Sequence, residues 1–125
     1  MKGGNRMDLY FLPTSLERKY SDERKMKKKY GEEIANGMYY FLQIARHANN
    51  ACDLKNMPFL YFEHKKGNLR NYYAVSLDKK KSKRRLMLQL LNEKFEVVIP
   101  AANEEQFLKL ITKLRIGELS EHYGK

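Results

Sequence analysis

The chain has 125 residues, 42% of them hydrophobic, which is enough for one domain with its own core and too little for two. Its 25 Lys and Arg against 15 Asp and Glu leave a formal charge of +10, a field that favours polyanions, with nucleic acid the first candidate partner and an anionic membrane surface the second. No window approaches the ~18–20 apolar residues that span a bilayer, Met1 to Asp8 has no apolar signal core, and one cysteine, Cys52, with three scattered histidines makes neither an internal disulfide nor a zinc pattern. A cytoplasmic protein is expected, with no membrane partner, no cofactor and no metal.

In chain order, residues 8–12 are apolar and aromatic and are stopped by Pro13, which suits a short strand. A helical region follows over 14–48. Thr14 with Glu17 has capping-box spacing, and Ser21 before Asp22 and Glu23 offers a second N-cap, so the first helix is expected to break near Ser21. From Glu32 to Ala48, the residues Ile34, Met38, Phe41, Leu42 and Ala45 recur at the spacing of one buried helical face. Asn49, Asn50 and Asn56-Met57-Pro58 then punctuate the chain.

Beyond them the period changes. Residues 59–66, 71–77 and 84–91 are rich in aromatic, β-branched and leucine residues and read as a meander of antiparallel strands, although 86–91 is equally compatible with a helix. Phe95 to Ile99 looks extended, Asn103-Glu104-Glu105 opens a short helix through Leu110 with Phe107 and Leu108 turned inward, and 111–123 returns to the sheet. The pattern as a whole is α+β, in a single domain over 1–125.

That order of elements, with certain motifs along it, resembles the RelE/ParE superfamily of toxin-antitoxin toxins, and within it the HigB-like plasmid maintenance killer branch. The motifs are Tyr20-Ser21-Asp22-Glu23-Arg24-Lys25, Lys28-Lys29-Tyr30-Gly31, Lys65-Lys66-Gly67, Asn71 to Asp78, Arg85-Leu86, and Leu119-Ser120-Glu121-His122-Tyr123. The terminal His-Tyr and the glutamate at 63 are similar to the YoeB-like toxins. The resemblance implies a helical hairpin packed on a curved antiparallel sheet, and a toxin that inhibits translation by metal-free cleavage of mRNA on the ribosome. It also implies a cognate antitoxin, a small helix-turn-helix protein, in a hetero-oligomeric complex. Against that pattern, Glu63-His64-Lys65-Lys66-Gly67 stands where the branch carries His-x-Leu-Lys-Gly, and residues 92–110 look like an insertion.

Metal-free RNA cleavage needs a base for the 2′-hydroxyl, an acid for the leaving 5′-oxygen, and cations for the phosphate. Glu63 is the candidate base, His122 the acid or a second base, Arg85 and Lys66 the phosphate cations, and Tyr123 a stacking or orienting group. Glu63 and Lys66 are three apart and point to opposite faces of a straight strand, whereas Lys65 shares a face with Glu63 and is the geometric substitute. Arg70 and the run Lys79, Lys80, Lys81, Lys83, Arg84, with Arg85 six cations in seven residues, are candidate RNA contacts.

Plainer readings stand beside these: Glu63 as a solvated carboxylate paired with a lysine, His122 as a surface histidine near the end, the basic run as a solvated loop, and His47 and His64 as structural or exposed. Two other activities also remain open. One is inhibition of DNA gyrase in the manner of ParE, and the other is RNA or ribosome binding without catalysis.

Overall fold

The structure, a computed structural model, describes residues 6–121. The elements run β1 (Asp8–Phe11), α1 (Leu16–Ser21), α2 (Glu23–Tyr30), α3 (Glu32–His47), α4 (Ala51–Lys55), β2 (Glu63–His64), β3 (Tyr73–Val75), β4 (Arg85–Leu91), β5 (Val97–Val98), α5 (Glu104–Lys109) and β6 (Lys113–Ser120). The α+β class is as the sequence indicates.

The first helical region does break at residues 21–22, but Asp22 is the cap rather than Ser21. Its backbone is extended and its carboxylate accepts from the Lys25 amide at 3.1 Å, while the Ser21 hydroxyl donates back to the Glu17 carbonyl at 2.8 Å and closes α1. The Thr14 capping box does not form, because turn carbonyls of Pro13 and Thr14 already accept from the Leu16 and Glu17 amides. Helix α3 buries the expected face. Gly37 sits in its middle because the helix backbone lies against Leu77: a Cβ there would fall 2.8 Å from the Leu77 carbonyl carbon and 2.9 Å from its Cβ. Asn50, which read only as punctuation, caps α4 by accepting from the amides of Cys52 and Asp53.

Two expectations for the sheet are corrected. Residues 59–66 are not one strand, since Pro58 starts a tight 3-10 turn (Pro58–Leu60), Tyr61 is left-handed, and only Glu63–His64 pair. Nor is the sheet wholly antiparallel. The order is β1-β6-β4-β3-β2, and β1 runs parallel to β6, with Asp8 opposite Lys113 and Phe11 opposite Ile116. A parallel pair needs a long crossover, and here nearly the whole chain provides it. Residues 86–91 are strand rather than helix. The segment 92–110 folds as a β4–β5 hairpin, which extends the sheet edge beyond β3, followed by α5, capped by Asn103.

All five helices send their buried residues to one face of this sheet. Leu16, Tyr20, Met26, Phe41, Leu54 and Leu108 share a single core with Tyr73 and Val75 of β3, Leu86, Leu88 and Leu90 of β4, and Leu114, Ile116 and Leu119 of β6. The pleat turns the intervening residues to the opposite face, against which none of the helices among the described residues packs.

Candidate nucleic-acid interface

Strand register sets the layout of that second face. Gln89 pairs with Arg115, and Arg115 with Tyr10, so that Tyr72, Gln89, Arg115 and Tyr10 form one row across the sheet. Lys65 joins the row at the β2 edge, its amide bonded to the Tyr72 carbonyl. In the neighbouring row Glu63 pairs with Ala74, and Ala74 with Met87. Between Leu86 and Leu88 the β4–β6 register slips by one, so Met87 faces both Gly117 and Glu118 in a bulge. The bulge swings Glu118 onto the rim of a groove of about 390 Å³ that Met87, Gln89, Arg115 and Tyr72 also line.

Glu63 and Lys65 are together, as their shared parity required, with the Lys65 ammonium 3.5 Å from the carboxylate. Glu63 is half-exposed, while Lys65 is only 7% exposed. Lys66 is exposed and lies beyond β2, at the start of the turn Gly67–Leu69, and Arg70 closes that turn with its Nη1 on the Gly67 carbonyl at 3.3 Å. Arg85 opens β4 opposite Ser120, the last residue of β6. Its Nη1 is folded back onto the carbonyls of Ser82 and Arg84, each at 2.8 Å. Two strand spacings of ~4.8 Å and two residues of ~3.4 Å put the backbones of Glu63 and Arg85 about 12 Å apart, a span that two long side chains can close around one phosphate. His122 and Tyr123 lie outside the described residues.

The basic run is an ordered loop. Asp78 is buried (6% exposed) and organises it: its carboxylate accepts from the Ser76 hydroxyl at 3.1 Å and from the Ser82 amide at 3.0 Å, and Ser76 Oγ accepts from the Lys80 amide at 2.7 Å. Lys79 and Lys80 take left-handed backbone. Several of the cations have partners on the body of the domain. Lys81 reaches Glu33 at 2.6 Å, which raises its pKa, Lys80 lies over the Tyr61 ring, and Arg84 lies over Tyr30 and 3.2 Å from Glu121. Lys79 and Lys83 are exposed.

Sequence reasoning missed Arg115, Gln89 and Glu118. Arg115 donates through Nε (3.0 Å) and Nη2 (2.8 Å) to the single oxygen Oε1 of Gln89. The alternation Lys113-Leu114-Arg115-Ile116 carried the signal, since it puts the cations on the face opposite two core residues. The bulge is braced from behind by Tyr20, whose buried hydroxyl donates to the Gly117 carbonyl at 2.7 Å. Burial first, then the nearby charge of Glu118, raises the Tyr20 pKa well above the ordinary phenol value.

On the helical side His64 is structural. Its ring stacks on Tyr73 at 4.4 Å, and Nε2 donates to the Arg70 carbonyl at 2.7 Å. Tyr73 in turn donates to Glu104 at 2.7 Å, and Lys55 pairs with the same carboxylate at 3.1 Å, so the 92–110 segment is tied to β3 and α4. Burial pushes the Glu104 pKa up, but the bonds from Tyr73 and Lys55 outweigh it and hold the group below its ordinary value. His47 is exposed, its Nδ1 on the Gln43 carbonyl.

Among the described residues no three His, Cys, Asp or Glu side chains gather as metal ligands, and no helix is long and apolar enough to cross a membrane. No family model, curated protein or solved structure matches the chain.

Proposed function

We propose that this chain is a RelE-like toxin of the HigB-like branch, acting in the cytosol to stop translation by metal-free cleavage of ribosome-bound mRNA, and held silent by a small helix-turn-helix antitoxin. The observation that carries the reading is the gathering of Glu63, Lys65, Arg115 and the Arg85 end of β4 on the one sheet face without a helix. The face carries Lys65, Arg85 and Arg115 with the aromatic and amide side chains of Tyr10, Tyr72 and Gln89 between them, which suits single-stranded RNA.

In this reading Glu63 accepts the 2′-hydroxyl proton, the 2′-oxygen forms its bond to phosphorus as the bond from phosphorus to the 5′-oxygen breaks, and His122 protonates that oxygen. Lys65 lies 3.5 Å from the Glu63 carboxylate, and Arg85 meets the charge that builds on the phosphate. The charge of the Lys79–Arg85 loop, next to the Arg85 end of β4, draws the polyanion in.

The antitoxin has a separate surface open to it. Tyr40, 62% exposed on α3, shares a groove with exposed Phe59 and with Lys79, and Lys80 lies over exposed Tyr61, a setting for apolar anchors with acidic flanks.

Inducing the protein in cells and mapping transcript 5′ ends tests the proposal. Cuts within translated frames that vanish with Glu63→Gln support it. Growth arrest with DNA breaks and intact transcripts identifies a gyrase inhibitor instead. Arrest that survives Glu63→Gln and His122→Ala but not charge reversal over 79–85 identifies a binder without catalysis.

A further inference from the structure

The groove over the bulge has a chemistry that phosphate binding leaves unused. Its floor is Met87 and Gly117, where a Cβ on the glycine would already come within 3.3 Å of the Met87 carbonyl oxygen, and Leu12, Pro13, Leu69 and Tyr72 add mostly apolar walls. At about 390 Å³ it is the size of a small-ligand pocket with room for one nucleotide.

Its polar groups are sorted by sign. Oε1 of Gln89 is taken up by two donors of Arg115, which fixes the amide orientation, so Gln89 offers the groove only its NH2 group. Arg115 keeps Nη1, another donor. Glu118, three residues along β6 from Arg115 and lining the same groove, is an acceptor only, exposed and with no hydrogen bond or ion pair among the described residues. The site is therefore a mostly apolar groove that holds donors from Gln89 and Arg115 and the acceptor pair of Glu118.

We infer that this groove is a guanine-selective base pocket, in which Arg115 and Gln89 donate to O6 and N7 while Glu118 accepts from N1–H and the 2-amino group. Guanine presents two acceptors and two donors on adjoining edges. Adenine turns the lone pair of N1 toward the carboxylate, cytosine does the same with N3, and uracil has one donor between two acceptors. Only guanine meets Arg115, Gln89 and Glu118 together without a like-sign contact. The inference deepens the RNA-directed reading and rests on it for biological meaning, but the pocket can be assayed with free nucleotides.

Chemical-shift titration of the full chain with 5′-GMP, 5′-IMP, 5′-AMP and ribose 5-phosphate tests the pocket directly. GMP should move the amides of Met87, Gln89, Gly117 and Glu118 and bind at least ~10-fold more tightly than AMP, with IMP, which lacks the 2-amino group, between them. Glu118→Gln, a surface change that the fold tolerates, should cut the preference for GMP over AMP to about twofold or less. Equal binding of GMP, AMP and ribose 5-phosphate, or shifts confined to the 79–85 loop, would overturn the pocket. RNA cleavage by the wild type, assayed beside the titration, separates the two claims. GMP selectivity without RNA cleavage by the wild type sinks the nuclease reading and leaves the pocket, whereas cleavage without GMP selectivity does the reverse.

Discussion

Replacing Gly37 with alanine adds one carbon to α3 and sets two known effects against each other. Alanine is the better helix former by ~0.8–1 kcal/mol, so an unconstrained site would gain stability. Here the new Cβ meets main-chain atoms of Leu77, 2.8 Å from the carbonyl carbon and closer still to its oxygen, and neither side can yield cheaply. Helix α3 is pinned by the six buried residues of its inner face, and Leu77 immediately precedes Asp78, whose carboxylate holds the basic loop. Restoring van der Waals distance requires helix and loop to separate, an overpacking cost of ~1–3 kcal/mol or more after which the propensity gain is small. The net loss should be about 1–2 kcal/mol, lowering Tm by roughly 3–8 °C in a domain of this size. Urea and thermal unfolding followed by circular dichroism measure it, with Tyr39→Ala on the exposed face of the same helix as a control within ~0.5 kcal/mol. The amides of Lys80 and Ser82, whose bonds depend on the loop's position, should shift as well. A Gly37→Ala protein that melts at or above the wild-type temperature would refute the close approach of α3 to the loop.

Tyr20→Phe removes the donor behind the bulge, and chemical denaturation should register about 1–2 kcal/mol of lost stability; an unchanged midpoint would mean that the Gly117 carbonyl does not depend on it. Glu104 sets a pH dependence. Its folded pKa lies below the unfolded value, so its contribution is present above the unfolded value of ~4.3 and disappears as pH falls through the folded one. The stability gap between wild type and Glu104→Gln should therefore be largest near neutrality and close in acid, as urea midpoints at pH 7, 5 and 3 would read; a gap that widens in acid contradicts the Tyr73 and Lys55 bonds.

What could be read from the chain was local. The face of α3 carried by Ile34, Met38, Phe41, Leu42 and Ala45 and the short helix opened by Asn103 rest on spacings of a few residues and appear as expected, while 86–91, legible as strand or helix, is strand. The parallel pairing of β1 with β6 joins residues about 105 apart, and no local pattern encodes strand direction over that distance. The aromatic run at 59–62 looked like a strand because aromatic β-propensity reflects burial more than backbone preference, and the Pro58 turn with left-handed Tyr61 redirected it. Only the fold shows Asp78 buried as the hub of the basic loop. In the candidate site, the shared face of Glu63 and Lys65 followed from parity, whereas Arg115, Gln89 and Glu118 depend on the β4–β6 register and on the one-residue slip opposite Met87.

The central claim is that the helix-free sheet face cuts RNA with Glu63 as its base. The most direct measurement is single-turnover cleavage of an mRNA programmed on purified ribosomes, comparing wild type with Glu63→Gln, a substitution at a half-exposed site that should leave Tm unchanged. The account predicts cleavage by the wild type that leaves a 2′,3′-cyclic phosphate, and a rate lower by ~10²-fold or more in the variant. Equal rates for the two proteins, or no cleavage by the wild type, would contradict it.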